Sequence, residues 1–244
     1  MNQTIQEIYN RKSVRIFTDE IITEEERKVI LESALQAPSA GNMALYSIID
    51  VQDQELKDRF AKLCDNQPFI AKAPLVLIFL ADYQKWFDII NECSDGVEKL
   101  EESDFVLATE DCMIAAQNAV VAAESMGIGS CYIGDIVENF EEVKEILNLP
   151  KYALPYTMLV FGKPTQQQKD RQKPKRFALE DMVHVNAYYQ KSIEETRTMF
   201  EKQTGKKEEE LNKYIQAFAK RKFFTGFRQE MNRSVRKMLE SWLG

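Results

Sequence analysis

Residues 111–126 read DCMIAAQNAVVAAESM. Alanines at 115, 116, 119, 122 and 123 spread over most of the circumference of a helix. A helix lined this way is predicted to be buried, because small side chains let neighbouring backbones approach closely. Gly127 is its expected C-cap. Whatever the rest of the chain forms must therefore pack around this one segment.

The flanking patterns say what those neighbours are. Thr23 and Glu26 form a capping box, Val29, Ile30, Leu31, Ala34 and Leu35 recur at helical spacing, and Pro38 stops the run, which predicts a helix over 23–36. YSIIDV (46–51) and PLVLIFLAD (74–82) read as strands, the second buried on both faces, with an amphipathic helix over 54–63 between them. Strand 130–136, helix 139–147 and strand 155–162 follow. Helices and strands alternate, so the class is α/β or α+β.

Composition narrows the function. With 244 residues, 44% of them apolar, the chain suits one globular domain or a domain with appendages. A net charge of −7 argues against wholesale nucleic-acid binding. The longest apolar run, 74–81, is too short to span a bilayer, and the first residues lack an apolar signal core. The cysteines at 64, 93, 112 and 131 contain no C-x-x-C pair, and with no export signal the expected compartment is the cytoplasm. The single histidine, His184, excludes a His-rich metal site and is expected to be an ordinary hydrogen-bonding residue. No P-loop or G-x-G-x-x-G turn is present, so enzymatic chemistry would have to come from a bound organic cofactor.

Charge is unevenly distributed. Residues 82–111 are rich in Asp and Glu and are expected to be an acidic surface insertion. Residues 202–244 carry a net +6, within a helically patterned extension expected over 191–244 beyond a core of 1–190.

Four stretches could carry chemistry. In extended RKSVR, Arg11, Ser13 and Arg15 project to one side, a donor cluster suited to a phosphate; a solvated basic segment paired with nearby acids is the alternative. APSAGN (37–42) offers amides and the short side chains of Ser39 and Asn42, or is an ordinary connecting loop. In GIGSCYIGD (127–135), Gly134 allows close approach of backbone to something flat, or marks a bulge. QKPKRF (172–177) is a second basic knot, which alone indicates only positive surface.

In this order and spacing, RKSVRIFTDEIITEEE, APSAGN, AAQNAVVAAESMGIGSCYIGDI, VKEILNLP and VFGKP resemble the FMN-dependent nitroreductase family over about residues 5–190. The branch with longer C-terminal extensions is the most similar. The resemblance implies an α+β fold with a mixed, largely antiparallel sheet flanked by helices, an intertwined homodimer, and FMN bound at its interface. It implies that Arg11, Ser13 and Arg15 contact the FMN phosphate and ribityl chain. Ser39 and Asn42 would lie beside the isoalloxazine ring, Gln67 at its polar edge, and Tyr132, Ile133 and Gly134 along it with the Gly134 amide near N5. Lys173 and Arg176 would give a second contact to the phosphate end. Lys220, Arg221, Lys222 and Arg228 are candidates for the 2′-phosphate of NADPH; pairing with the acidic stretch of the other subunit is their alternative.

The implied activity is NAD(P)H oxidation with reduction of nitroaromatics, quinones or flavins, by ping-pong hydride transfer through flavin N5 and with no protein nucleophile. NADPH or NADH is the donor, a small molecule the acceptor, and no nucleic acid or membrane is involved. Three departures stand out: Ala44 where many relatives have Gln, Asp135 where the branch often has a second Gly, and K-P-K-R in place of K-P-R. They keep open a different flavin reaction, such as reductive dehalogenation. A flavin- or nucleotide-binding protein with little turnover is the other alternative.

Overall fold

The computed structural model describes all 244 residues. In chain order the elements are α1 (Gln3–Asn10), α2 (Glu24–Leu35), β1 (Tyr46–Asp50), α3 (Gln54–Leu63), α4 (Pro68–Ala71), β2 (Leu75–Asp82), α5 (Gln84–Cys93) and α6 (Glu102–Ser125). They continue with β3 (Gly129–Ile133), α7 (Phe140–Ile146), β4 (Ala153–Gly162), α8 (Gln166–Asp170), α9 (Leu179–Met182), α10 (Ile193–Thr204), α11 (Glu208–Lys222) and α12 (Gly226–Leu243). The chain divides into two compact units, Met1–Arg171 with Glu230–Gly244, and Gln172–Gln229.

The first unit is built on a four-stranded sheet in the order β1-β2-β4-β3, every pair antiparallel. Its strands sort side chains by alternation. On β2, Val76, Ile78 and Leu80 face one core with Phe60, Ile70, Phe140, Tyr152 and Trp242, while Leu75, Leu77 and Phe79 face a second core with Ile30, Cys112, Ala115, Ala116 and Ala119. All eight residues of β2 are buried, as an apolar run covered on both faces requires.

α6 fills the second core. Its buried face runs through Ala108, Asp111, Cys112, Ala115, Ala116, Ala119, Val120 and Ala123. By length and composition it could cross a bilayer, but this face packs on the sheet and on α2. The sequence predicts burial all round. In one chain, however, the opposite face leaves Val106, Met113 and Ile114 at 52%, 36% and 40% exposure. The helix also begins eight residues before Glu110, because Glu101 and Asp104 form a capping box inside the acidic stretch. Within that stretch Asp82 and Asp111 are buried.

The capping box of α2 forms as predicted from Thr23 and Glu26. Arg27 then ties the helix to Asp50 of β1 through its Nε, 2.5 Å from the carboxylate. At the other end of the chain, Trp242 is fully buried, donates to the Glu101 carbonyl at 3.2 Å and packs edge-on against Phe105 and Tyr152. The last helical turns of the basic tail are thus part of the first unit.

Candidate functional site

The outer edge of β3 would expose a row of unpaired amides and carbonyls. The N-terminal segment covers it: Val14 N–H donates to the Ser130 carbonyl at 2.9 Å, and Ser13 forms a parallel bridge to Ser130. This is the parallel element beside an otherwise antiparallel sheet. Two glycines permit the approach, since a Cβ on Gly129 would stand 2.5 Å from Val14 and one on Gly162 2.5 Å from Phe17. The R-K-S-V-R segment is therefore extended because it acts as a cover strand.

That placement gathers the three residues singled out by alternation. Burial pushes the Cys131 thiol up, and Arg15, Ser13 and Arg11 stand close enough to oppose that shift. Arg11 also faces Tyr132, whose hydroxyl burial pushes up to about 12 and which donates to Gln117 of α6 at 3.2 Å. The Arg15 guanidinium lies over the ring of Phe69, 5.8 Å from its centre. Arg15 and Phe69 line a cavity of about 690 Å³ together with Phe17, Lys57 and Lys72.

Behind the cluster stand two cations that sequence reasoning did not assign. Lys12 donates to the carbonyls of Lys169, at 2.6 Å, and Arg171. Arg171 in turn donates to the Ser13 carbonyl at 2.5 Å. They hold the segment in place by contacts about 160 residues apart, which no local pattern announces.

β3 ends at Ile133, one residue before the predicted glycine, and Gly134 opens a short 3-10 turn to Val137. A Cβ built on Gly134 would meet nothing within 4 Å, so its face is open. The next residue, Asp135, accepts from the Gln67 amide nitrogen at 2.5 Å. The carboxylate that replaces the branch's second glycine is thus engaged with a predicted site residue. Glu138, one turn on, is pushed up to about 7 by burial, aided by repulsion from Asp65, Asp135 and Glu230.

Ser39 and Asn42 lie elsewhere in the chain, on a loop held by the buried carboxylate of Asp111. It accepts from Ala40 N–H and Leu45 N–H, both at 3.0 Å. Ser39 Oγ accepts from Ala44 N–H at 3.0 Å, and Asn42 and Ala44 both adopt left-handed backbone, with φ of 58° and 49°. Within one chain no hydrogen bond joins Ser39 or Asn42 to the arginine cluster. Asp111 was missed at the sequence level, although a carboxylate amid alanines was its signal.

The remaining candidates fall in the second unit. Lys173 and Arg176 lie between Arg171 and α9, while their neighbour Lys175 donates to the Lys202 carbonyl at 2.6 Å. Lys220, Arg221 and Lys222 end α11, Arg228 lies in the first turn of α12, and all four are exposed. Arg221 stacks over Phe218 and Arg228 over Phe223. His184 accepts from Tyr189 N–H at 3.2 Å and packs on Tyr188, a structural role as expected.

The site combines a cationic and hydroxyl cluster, an open glycine face and an oriented amide. That set can hold an anionic tail and a flat polar ring, and it offers no nucleophile-base pair. Comparison with known proteins gives the family. The sequence profile of the Nitroreductase family matches residues 8–163. The chain is 34% identical over 234 residues to an FMN reductase (NADPH) of Bacillus subtilis, covering 91% of this chain and 93% of that protein. It is 36% identical over 188 residues to an oxygen-insensitive NADPH nitroreductase of Salmonella typhimurium, covering 77% and 75%. Among solved structures, the NADPH:FMN oxidoreductase of Vibrio harveyi complexed with NAD+ superimposes with a TM-score of 0.76 at 31% identity, covering 84% of this chain and 86% of that one. The profile match, these relatives and the shared fold make this chain a member of the nitroreductase family.

Proposed function

We propose that the protein is an NAD(P)H-dependent FMN oxidoreductase, acting as a cytoplasmic homodimer on small acceptors such as nitroaromatics, quinones or free flavins. The observation that carries the reading is the docking of the Arg11–Ser13–Arg15 segment along β3, where Ser13 bridges Ser130 and Val14 N–H donates to the Ser130 carbonyl, four residues before the open face of Gly134. Relatives named as FMN reductases and NADPH nitroreductases support it.

The residues fit FMN. Two guanidiniums and a hydroxyl suit a phosphate monoester, each Arg able to form paired charge-assisted bonds. The open face of Gly134 leaves room for a ring that a side chain would fill. Lys173 and Arg176 would add charge at the phosphate end. When bound, the flavin would take hydride from NAD(P)H and pass the electrons to an acceptor that replaces the nicotinamide in the same cleft, which is ping-pong turnover. The protein's part is to orient the ring and supply fixed donors where negative charge develops, with the Gly134 amide near N5. Lys220, Arg221, Lys222 and Arg228 are the proposed contacts to an NADPH 2′-phosphate.

Two features support the dimer. α6 carries an exposed apolar strip opposite its core face, and Ser39 and Asn42 have no link to the arginine cluster in one chain. A second copy packed on α6 would cover the strip and bring its own Ser39 and Asn42 to the ring.

The test is to purify the protein without added flavin, identify any released pigment, and follow NADPH and NADH oxidation with nitrofurazone, a quinone and riboflavin as acceptors. About one FMN per chain, with parallel double-reciprocal lines, is the expected result. A colourless protein that takes up no FMN and oxidises neither nucleotide would overturn the reading.

A further inference from the structure

Gln67 precedes α4 and is the residue expected at the polar edge of the ring. Its side-chain nitrogen donates twice, to the Cys64 carbonyl at 2.8 Å and to Asp135 Oδ2 at 2.5 Å. A primary amide nitrogen carries two hydrogens, so both are committed. Turning the amide over would set its oxygen against two acceptors, which chemistry forbids. The group left for a ligand is the carbonyl oxygen, an acceptor. Asp135 sits directly after Gly134, so the lock and the open glycine face are neighbours in the chain.

We propose that Asp135 is a positioning residue that locks the Gln67 amide with its carbonyl oxygen toward the flavin, so that the site selects for the N–H at N3 of the isoalloxazine ring. This rests on the FMN reading above. Oxidised isoalloxazine has one ring N–H, at N3, and its other polar edge atoms are acceptors, so an acceptor on the protein has one partner to choose. The carboxylate makes the lock charge-assisted, roughly twice as strong as a neutral hydrogen bond. A glycine at 135 could not supply it, and the orientation would then rest on the Cys64 carbonyl alone.

The apoprotein would be titrated with FMN and with 3-methyl-FMN, following quenching of flavin fluorescence. The wild type is expected to bind FMN about tenfold more tightly than the methylated analogue. Asp135→Ala should bring the two within about threefold, while Asp135→Asn, which keeps an oxygen for the Gln67 N–H, should retain most of the preference. Equal binding of both flavins by the wild type, or an unchanged preference in Asp135→Ala, would overturn the proposal. A purely structural role for Asp135 would weaken both flavins alike and so counts against it too. A wild type that binds neither flavin defeats the FMN reading itself, a distinct outcome from equal binding. Should Asp135→Ala not fold, proton exchange of the Gln67 side-chain amide in the wild-type holoprotein carries the test. Both protons slowed about tenfold relative to exposed Gln52 is expected, and free exchange of either overturns the lock.

Discussion

Asp111 is 2% exposed, and its two oxygens each satisfy one backbone amide of the loop that carries Ser39 and Asn42. Removing it orphans both donors, at a cost of about 1–3 kcal/mol each where no water can enter. Asp111→Ala is therefore expected to lower unfolding stability by about 3 kcal/mol in urea melts and to weaken FMN binding through the loaded loop. Ala44 holds left-handed backbone that costs a non-glycine residue about 1–2 kcal/mol. Ala44→Gly should recover about 1 kcal/mol in the same melts, because only the φ of 49° needs relief there. Glu138 gives a pH signature. Its carboxyl is raised from an ordinary 4.5 to about 7, so its favourable contribution is complete below pH 4.5 and is lost as pH rises through 7. Allowing for solvent screening, Glu138→Gln should match the wild type near pH 4.5 and exceed it by about 1–2 kcal/mol at pH 8. A constant difference across that range would assign the shift elsewhere.

At the scale of elements, legibility followed locality. The α2 capping box and its periodicity were readable because both are satisfied within a few residues, at Thr23 and Glu26. β2 was readable because burial on both faces leaves an unbroken apolar run. The start of α6 was hidden, since its cap, Glu101 with Asp104, is made of the same acids that mark solvated loops. β3 ended early because Gly134 turns into the 3-10 segment from which Asp135 reaches Gln67, a contact 68 residues distant. The alanine pattern of α6 describes a helix buried on every side, and a single chain buries only one. On the proposed dimer, Ile114→Glu places a charge in the centre of the self-association face and is expected to convert a dimer to a monomer by light scattering. An unchanged mass would mean that another surface joins the copies.

Across the whole molecule, the candidate site was legible wherever one segment carries its own geometry. Alternation alone set Arg11, Ser13 and Arg15 on a common side, and their segment docks along β3 at Ser130. Residues that act through distant partners were not legible: Arg171 on the Ser13 carbonyl, Lys12 on Lys169, and the return of Trp242 to the core depend on where the chain is brought back. The basic tail shows the same limit, for its helical pattern was plain while the burial of its last turns was not. The account rests on the N-terminal cluster recognising a phosphate, and one comparison tests that directly: equilibrium binding of FMN against riboflavin, which lacks only the phosphate, to the wild type and to Arg15→Ala. The account predicts that the wild type binds FMN at least tenfold more tightly and that Arg15→Ala loses most of that preference while riboflavin affinity changes little. Equal affinity of the wild type for the two flavins would contradict it.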